Sequence, residues 1–244
     1  MSPKLALAAA ACLGVLGGVL SGCSPSVARS SLRAIDARER DRPYTLAEVD
    51  VGMLTLPAAD LCPTSIAQCL TGDASVAVGI RSLYRFGRFA VGGGIDWATS
   101  LRSDPAPGPV EVKREHERTY FLFEGAMRYY PVQGKSLHVW VGPTAGLVVV
   151  QDAWSTLADR EPYLEVDYIG PRSLSLGTVG GAVSAGVGVE WLFLPNWSLG
   201  TFARGGLWLL PDTRVTSPTL DQASLAGPQG MLQLGITGAY RIAL

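Results

Sequence analysis

Between Met231 and Leu244 apolar and polar positions alternate. Leu232, Leu234, Ile236, Gly238, Tyr240, Ile242 and Leu244 form one series. Met231, Gln233, Gly235, Thr237, Ala239, Arg241 and Ala243 form the other. Successive side chains of a β-strand point to opposite faces, so the spacing predicts a strand with an aliphatic face and a small or polar face that carries an Arg. The same two-faced pattern recurs upstream, over Thr45–Leu56, Ser75–Arg85, Phe89–Ser100, Thr119–Tyr130, Leu137–Gln151, Ala182–Leu194 and, more weakly, Ser198–Leu210. In Ala182–Leu194, for example, Val183, Ala185, Val187, Val189, Trp191 and Phe193 oppose Ser184, Gly186, Gly188 and Glu190. A buried helix is the alternative for the Val-rich Leu137–Val150, but its Val density and Pro143 favour a strand.

The charges fall on one face. Glu48, Asp50, Asp96, Glu124 and Glu190 stand against Arg81, Arg85, Arg128, Arg204 and Arg241, and all ten belong to the polar series. The apolar series carries no charge in these spans. A charge on a lipid-facing surface near the midplane costs about 2–4 kcal/mol for Arg or Lys. Inside a narrow barrel the same residues can pair, and Arg is the better partner for a dense carboxylate network. The expectation is therefore an all-β, eight-stranded antiparallel up-and-down transmembrane β-barrel over residues 44–244, with these ten residues as ion pairs in its lumen. Each segment exceeds the ~9–11 residues that a tilted strand needs to cross a bilayer. A soluble barrel or sandwich with its charged face in water is the alternative; the abundance of Gly on that face argues against it.

The connections alternate in length. Pro57–Ala74, Leu101–Arg118, Asp152–Gly181 and Pro211–Gly230 are long, whereas Phe86–Arg88, Pro131–Ser136 and Pro195–Trp197 are short. Short turns on one side and long loops on the other are the asymmetry of outer-membrane barrels. Tyr84, Phe86, Phe89, Tyr129, Trp191, Phe193, Trp197 and Tyr240 gather at the short-turn end, as an interfacial girdle would, and Trp97, Phe121 and Trp154 mark the other rim.

The N-terminus adds a location. Lys4 followed by the uncharged apolar run Leu5–Leu20 reads as an export signal. Leu20-Ser21-Gly22-Cys23 resembles the bacterial lipobox, which implies removal of residues 1–22 and acylation of Cys23; cleavage after Ala28 is the alternative. Residues 23–43, rich in Arg, Asp and Glu, read as a solvated tether with both barrel ends in the periplasm. The Gly-rich alternating strands from Thr45 to Leu244 resemble the small eight-stranded outer-membrane barrels of the OmpA/OmpX type. Such barrels usually end on Phe, and this chain ends Tyr240-Arg241-Ile242-Ala243-Leu244.

Little in the chain carries chemistry. A net charge of −1 gives no electrostatic case for nucleic acid. Cys62 and Cys69, close together in an exported chain, point to a disulfide that stiffens the first long loop. No metal site, cofactor motif or catalytic residue is legible. Of the two His, His116 opens a His-Glu pair without the second His of a zinc-protease helix, and the charge-dense Glu111–Arg118 reads as a solvated loop. His138 falls on the lumen face. Glu161, Tyr163, Glu165, Asp167 and Tyr168 make the third long loop acidic and aromatic, able to meet a cation or a partner. The expectation is a non-enzymatic outer-membrane barrel lipoprotein, in contact with outer-membrane lipids, with a structural role or a binding role at its long loops for an extracellular ligand or protein. A membrane-embedded lipid-modifying enzyme using His116, a narrow pore, and a soluble periplasmic barrel lipoprotein binding a small apolar ligand are the alternatives.

Overall fold

The computed structural model describes residues 43–61, 71–101, 114–156, 173–217 and 222–243. Eight strands run in chain order: β1 (Tyr44–Asp60), β2 (Thr71–Phe86), β3 (Phe89–Ser100), β4 (Arg114–Gln133), β5 (Leu137–Thr156), β6 (Ser173–Leu194), β7 (Trp197–Leu209) and β8 (Pro228–Ala243). Each pairs antiparallel with its neighbour, and β1 closes on β8 from Tyr44↔Ala243 to Thr55↔Leu232. The fold is the eight-stranded up-and-down barrel that the alternation predicts, without an open sheet edge.

The register tilts the strands. A walk around the wall runs from Leu46 through Leu83, Gly92, Ala126, Thr144, Ser184 and Gly206 to Met231. Leu232, the next residue, pairs with Thr55, so the walk returns to β1 at Leu56, ten residues above its start. A stagger of that kind is what tilts strands in a closed barrel and lets side chains fill the interior. Pro143, which has no N–H to give, faces outward where the β4–β5 pairing is interrupted between Ala126↔Thr144 and Tyr129↔Val141 without a change of register.

The two faces separate cleanly. Val49, Met53, Ile80, Ile95, Phe123, Leu147, Val187, Leu207, Leu234 and Ile236 are all exposed on the outer wall. At the short-turn end the exposed rings touch in a belt: Tyr84 to Phe86 (6.0 Å), Phe86 to Phe89 (6.2 Å), Phe89 to Tyr129 (5.2 Å) and Trp191 to Phe193 (6.2 Å). Trp154 does not belong to the opposite rim. It sits on the inward series of β5, is buried, and stacks on His116 with ring centres 4.8 Å apart.

β4, β5 and β6 extend well past the limits that the apolar pattern suggested. β4 begins at Arg114, β5 continues to Thr156, and β6 begins at Ser173. The Arg114–Arg118 part of the expected solvated loop is thus strand, and His116 and Arg118 are buried within it. Alternation itself persists there: Glu117, Gln151 and Ser175 point outward while Arg118, Asp152 and Leu176 point inward. What changes is the outward face, which turns polar above Phe121 and Val149, so an apolar-outward filter stops too early.

Candidate functional site

The interior is the site that the strands build, and it is sorted by height. Nearest the short turns is a mouth formed by Tyr44, Arg85, Tyr130, His138 and Arg241. Arg85 Nη1 donates to Tyr44 Oη (2.7 Å) and lies 3.0 Å from His138 Nδ1, which Arg241 Nη2 also approaches, at 3.3 Å.

Above it, Arg128 grips Glu48 with two parallel bonds of 2.6 and 2.8 Å and reaches Glu190 at 3.5 Å. Paired forks of this kind are the strong, directional form of the Arg–carboxylate contact. The Arg128 guanidinium also lies over the Trp140 ring, 4.0 Å from its centre. Tyr130 donates to Glu190 at 3.2 Å.

The next layer is the densest. Arg81 bridges Asp50 (3.1 Å), Asp96 (2.9 Å) and Glu124 (3.1 Å). Arg204 bridges Asp96 at 2.9 Å, pairs with Glu124, and donates through Nε to Gln233. Thr144 gives a further bond to Glu124 at 3.2 Å. Gly79 makes this layer possible: a Cβ built there would collide with the carboxylates of Asp96 and Asp50. Gly188 does the same for the Trp140 ring one layer lower. A void of about 20 Å³ between Arg81, Arg128, Trp140, Phe202 and Arg204 has room for about one water.

Over the charges lies an apolar deck of Leu54, Ala77, Ala98, Tyr120, Leu122, Val148, Trp208 and Met231. A second polar knot closes it from above. Tyr120 bonds Asp73, and Arg118 lies 3.5 Å from the same carboxylate. Asp152, fully buried, takes His116 Nε2 at 2.8 Å, Ser224 Oγ at 2.6 Å and the Ser224 backbone N–H at 2.9 Å. Arg118 Nε donates to Ser224 Oγ at 2.6 Å. Ser224 belongs to the connection after β7, which turns back over the long-loop end of the lumen. Ala223, Ser224 and Leu225 are buried, Arg214 donates to the Ser224 carbonyl at 2.9 Å, and Thr216 and Gln222 form a small bridge. Burial pushes the Asp152 carboxyl up, but the His116 hydrogen bond and the Arg118 charge outweigh it and hold the group below the usual carboxylate range.

Ser, His and Asp meet in this knot without forming a nucleophile relay. A relay needs the imidazole between the hydroxyl and the acid. Here Ser224 Oγ and His116 Nε2 both bond the same oxygen of Asp152, and the hydroxyl is buried.

The structure brings Glu48, Asp50, Arg81, Asp96, Glu124, Arg128, Glu190 and Arg204 into mutual ion pairs. Arg85 and Arg241 form none among the described residues and meet on His138 instead. Cys23, Cys62, Cys69 and the acidic stretch Glu161–Tyr168 lie outside the described residues. Sequence reasoning missed Asp73, Arg118, Asp152 and Ser224. For Asp152 the signal was present, since it continues the inward series of β5 two residues beyond Val150. For Ser224 there was none, because an irregular connection has no period.

No protein-family model matches the chain. None of the curated proteins matches it either. Among solved structures it is similar to neisserial surface protein A, at 9% identity over 82% of this chain and 97% of that one, with a TM-score of 0.47. It is similar to the attachment invasion locus protein Ail of Yersinia pestis, at 12% identity over 83% and 99%, TM-score 0.42. It is also similar to a major outer membrane protein of Thermus thermophilus, at 13% identity over 82% and 99%, TM-score 0.45.

Proposed function

We propose that this protein is a non-enzymatic β-barrel lipoprotein of a bacterial outer membrane, a closed scaffold that holds its long loops at the cell surface. One observation carries the reading: a wall that is apolar and exposed on the outside encloses guanidiniums and carboxylates on the inside. Water would leave that outer wall unsatisfied, whereas hydrocarbon solvates it and the closed ladder pairs backbone groups from strand to strand, as a wall in lipid requires. The apolar band ends near Val149 on β5 and Phe121 on β4, so the upper parts of β4, β5 and β6 stand clear of the membrane. In this reading Cys23 carries the lipid, residues 24–43 span from anchor to barrel on the periplasmic side, and a Cys62–Cys69 disulfide stiffens the first outer loop.

The layered ion pairs, the apolar deck and the returning connection stack across the lumen among the described residues, which supports a sealed lumen rather than a pore. Fractionation with detergent extraction tests the location. Heat-modifiable gel mobility and extraction by detergent alone are expected; recovery in a carbonate or salt wash overturns the reading. Planar-bilayer recording tests closure, with no stepwise conductance expected. Labelling with an alkyne fatty acid, lost in Cys23→Ser, tests the anchor, and thiol alkylation with and without reductant tests the disulfide.

A further inference from the structure

The barrel is closed, and edges arise only above it, where β4, β5 and β6 outrun their neighbours. β3 ends at Ser100, and β4 extends past it over residues 114–118. On the other flank β7 ends at Leu209, and its ladder with β6 begins at Gly181↔Leu209. Residues 173–180 of β6 are therefore laddered to β5 on one side and to no strand on the other. Beyond Leu209 the chain leaves β6, and Leu210 bonds Gly227 across the β7–β8 connection. Among the described residues no backbone bond reaches residues 173–180 from the β7 side. The phase of the ladder fixes which groups face that side. A Cβ at Gly206 or Gly200 of β7 would meet the carbonyls of Val183 and Val189, while the Leu192 N–H donates to Ser136 on the β5 side. The β5–β6 register runs unbroken from Leu137↔Trp191 to Ser155↔Ser173. Odd-numbered residues of β6 thus turn their N–H and C=O toward β7, and above Gly181 those of Ser175, Gly177 and Val179 meet no strand. All three residues are exposed.

Such edges are usually blunted by charge, by Pro or by a bulge. The β4 edge is guarded in this way, since residues 114–118 read Arg-Glu-His-Glu-Arg. The β6 edge is bare. Residues 173–180 read Ser-Leu-Ser-Leu-Gly-Thr-Val-Gly, with no charge, no Pro and no register shift. Donors and acceptors that repeat every second residue, about 7 Å apart, match an extended polypeptide backbone. A strand added there would lie beside Ser175, Gly177 and Val179, where a charged side chain finds no counter-charge. A second copy in the same membrane fits poorly. Rotation about the membrane normal crosses two strands tilted by about 35–45° at about 70–90° instead of aligning them. We propose that the bare edge of β6, at Ser175, Gly177 and Val179, is a docking edge that takes an extended, uncharged segment of an extracellular protein as an added strand. Only the partner's origin outside the cell rests on the outer-membrane reading; the edge does not.

Amide hydrogen exchange of the full chain in bicelles, read residue by residue by NMR, tests this with the peptide acetyl-Thr-Val-Thr-Val-Thr-Val-Thr-amide as the probe. In the free protein the amides of Ser175, Gly177 and Val179, corrected for intrinsic rates, should exchange roughly tenfold or more faster than those of Leu176 and Thr178, which face β5. Saturating peptide should slow the first three by roughly tenfold or more and leave the other two unchanged. A control peptide with Pro in place of every Val should slow none of them. Gly177→Pro removes the central donor at a position where an edge tolerates Pro, and should weaken peptide binding by roughly tenfold. Heat-modifiable mobility shows whether that variant is folded; if it is not, Gly177→Lys, which puts a charge on the edge, takes its place with the same expected loss. Protection of the three amides before any peptide is added, no slowing at the highest soluble peptide concentration, or undiminished binding by the folded variant overturns the proposal. Recovery of the chain in a carbonate wash would overturn the outer-membrane reading, and with it the partner's origin, while the exchange pattern would still decide the edge.

Discussion

The lower and upper halves of the lumen solve the same packing problem with different physics. Below, space is filled by guanidiniums locked between carboxylates: Arg81 serves three acids and Arg128 two. Above, Leu54, Leu122, Val148 and Trp208 pack as the core of a soluble protein does. The apolar deck is graded, because losing one methyl forfeits one methyl's contacts. The charged half is not, because a buried charge is tolerable only while its partner remains. The largest effect is therefore expected from Arg81→Leu, which leaves Asp50 without its counter-charge and strips one from Asp96 and Glu124. A loss of about 3–5 kcal/mol, the range for breaking a buried pair, should appear in urea unfolding from lipid vesicles. A cost below that of a single apolar truncation would mean that the layer is hydrated and the contrast false.

The contrast sharpens when both partners are removed. Glu48 and Arg128 are joined by two short bonds, and Arg128 also reaches Glu190. Glu48→Leu and Arg128→Leu alone should each cost several kcal/mol, and the double replacement less than their sum, since Glu48 is no longer orphaned even though Glu190 still loses its contact with Arg128. Additive losses would show that the two residues are not energetically coupled and that the fork does not hold this layer. In the deck the expected outcome is simpler. Val148→Ala removes two methyl groups at about 0.8 kcal/mol each and leaves a small cavity, for about 2–3 kcal/mol in the same unfolding measurement.

The same contrast explains what the chain disclosed before its structure. Period-two alternation with charge confined to one series identified eight strands and the closed topology, because a closed wall around a packed lumen makes every residue choose a face. It misplaced Trp154, which as an aromatic near a rim suggested an interface although its parity put it inside beside His116. It cut β4, β5 and β6 short, because above the apolar band the outward residues turn polar and no longer differ in that respect from those of a loop. Partner choice was beyond it as well. Arg85 and Arg241 differ from Arg81 and Arg204 only in height along the barrel, and which layer a residue joins depends on the stagger around eight strands.

The smallest expected effect concerns the knot that holds the β7–β8 connection over the long-loop end of the lumen. Ser224→Ala removes one donor to Asp152 and one acceptor for Arg118, but His116 and the residue 224 backbone N–H still bond the carboxylate. The cost should be about 1 kcal/mol, felt locally as faster hydrogen exchange over residues 211–227 and not as a change in global unfolding. Acid should act on the same knot. The Asp152 carboxyl is held below its usual range, so its contribution is fully present above the unfolded carboxylate value near ~4 and is lost only as pH falls further, through the depressed folded value. Exchange over 211–227, corrected for the intrinsic rate, should hardly differ between about pH 7 and pH 5 and should rise below about pH 4. Asp152→Asn should remove that dependence and leave the connection loosened at every pH. Loosening that begins well above pH 5 in the unsubstituted protein would show that the Asp152 carboxylate does not control the knot, and would undo the separation of the two halves.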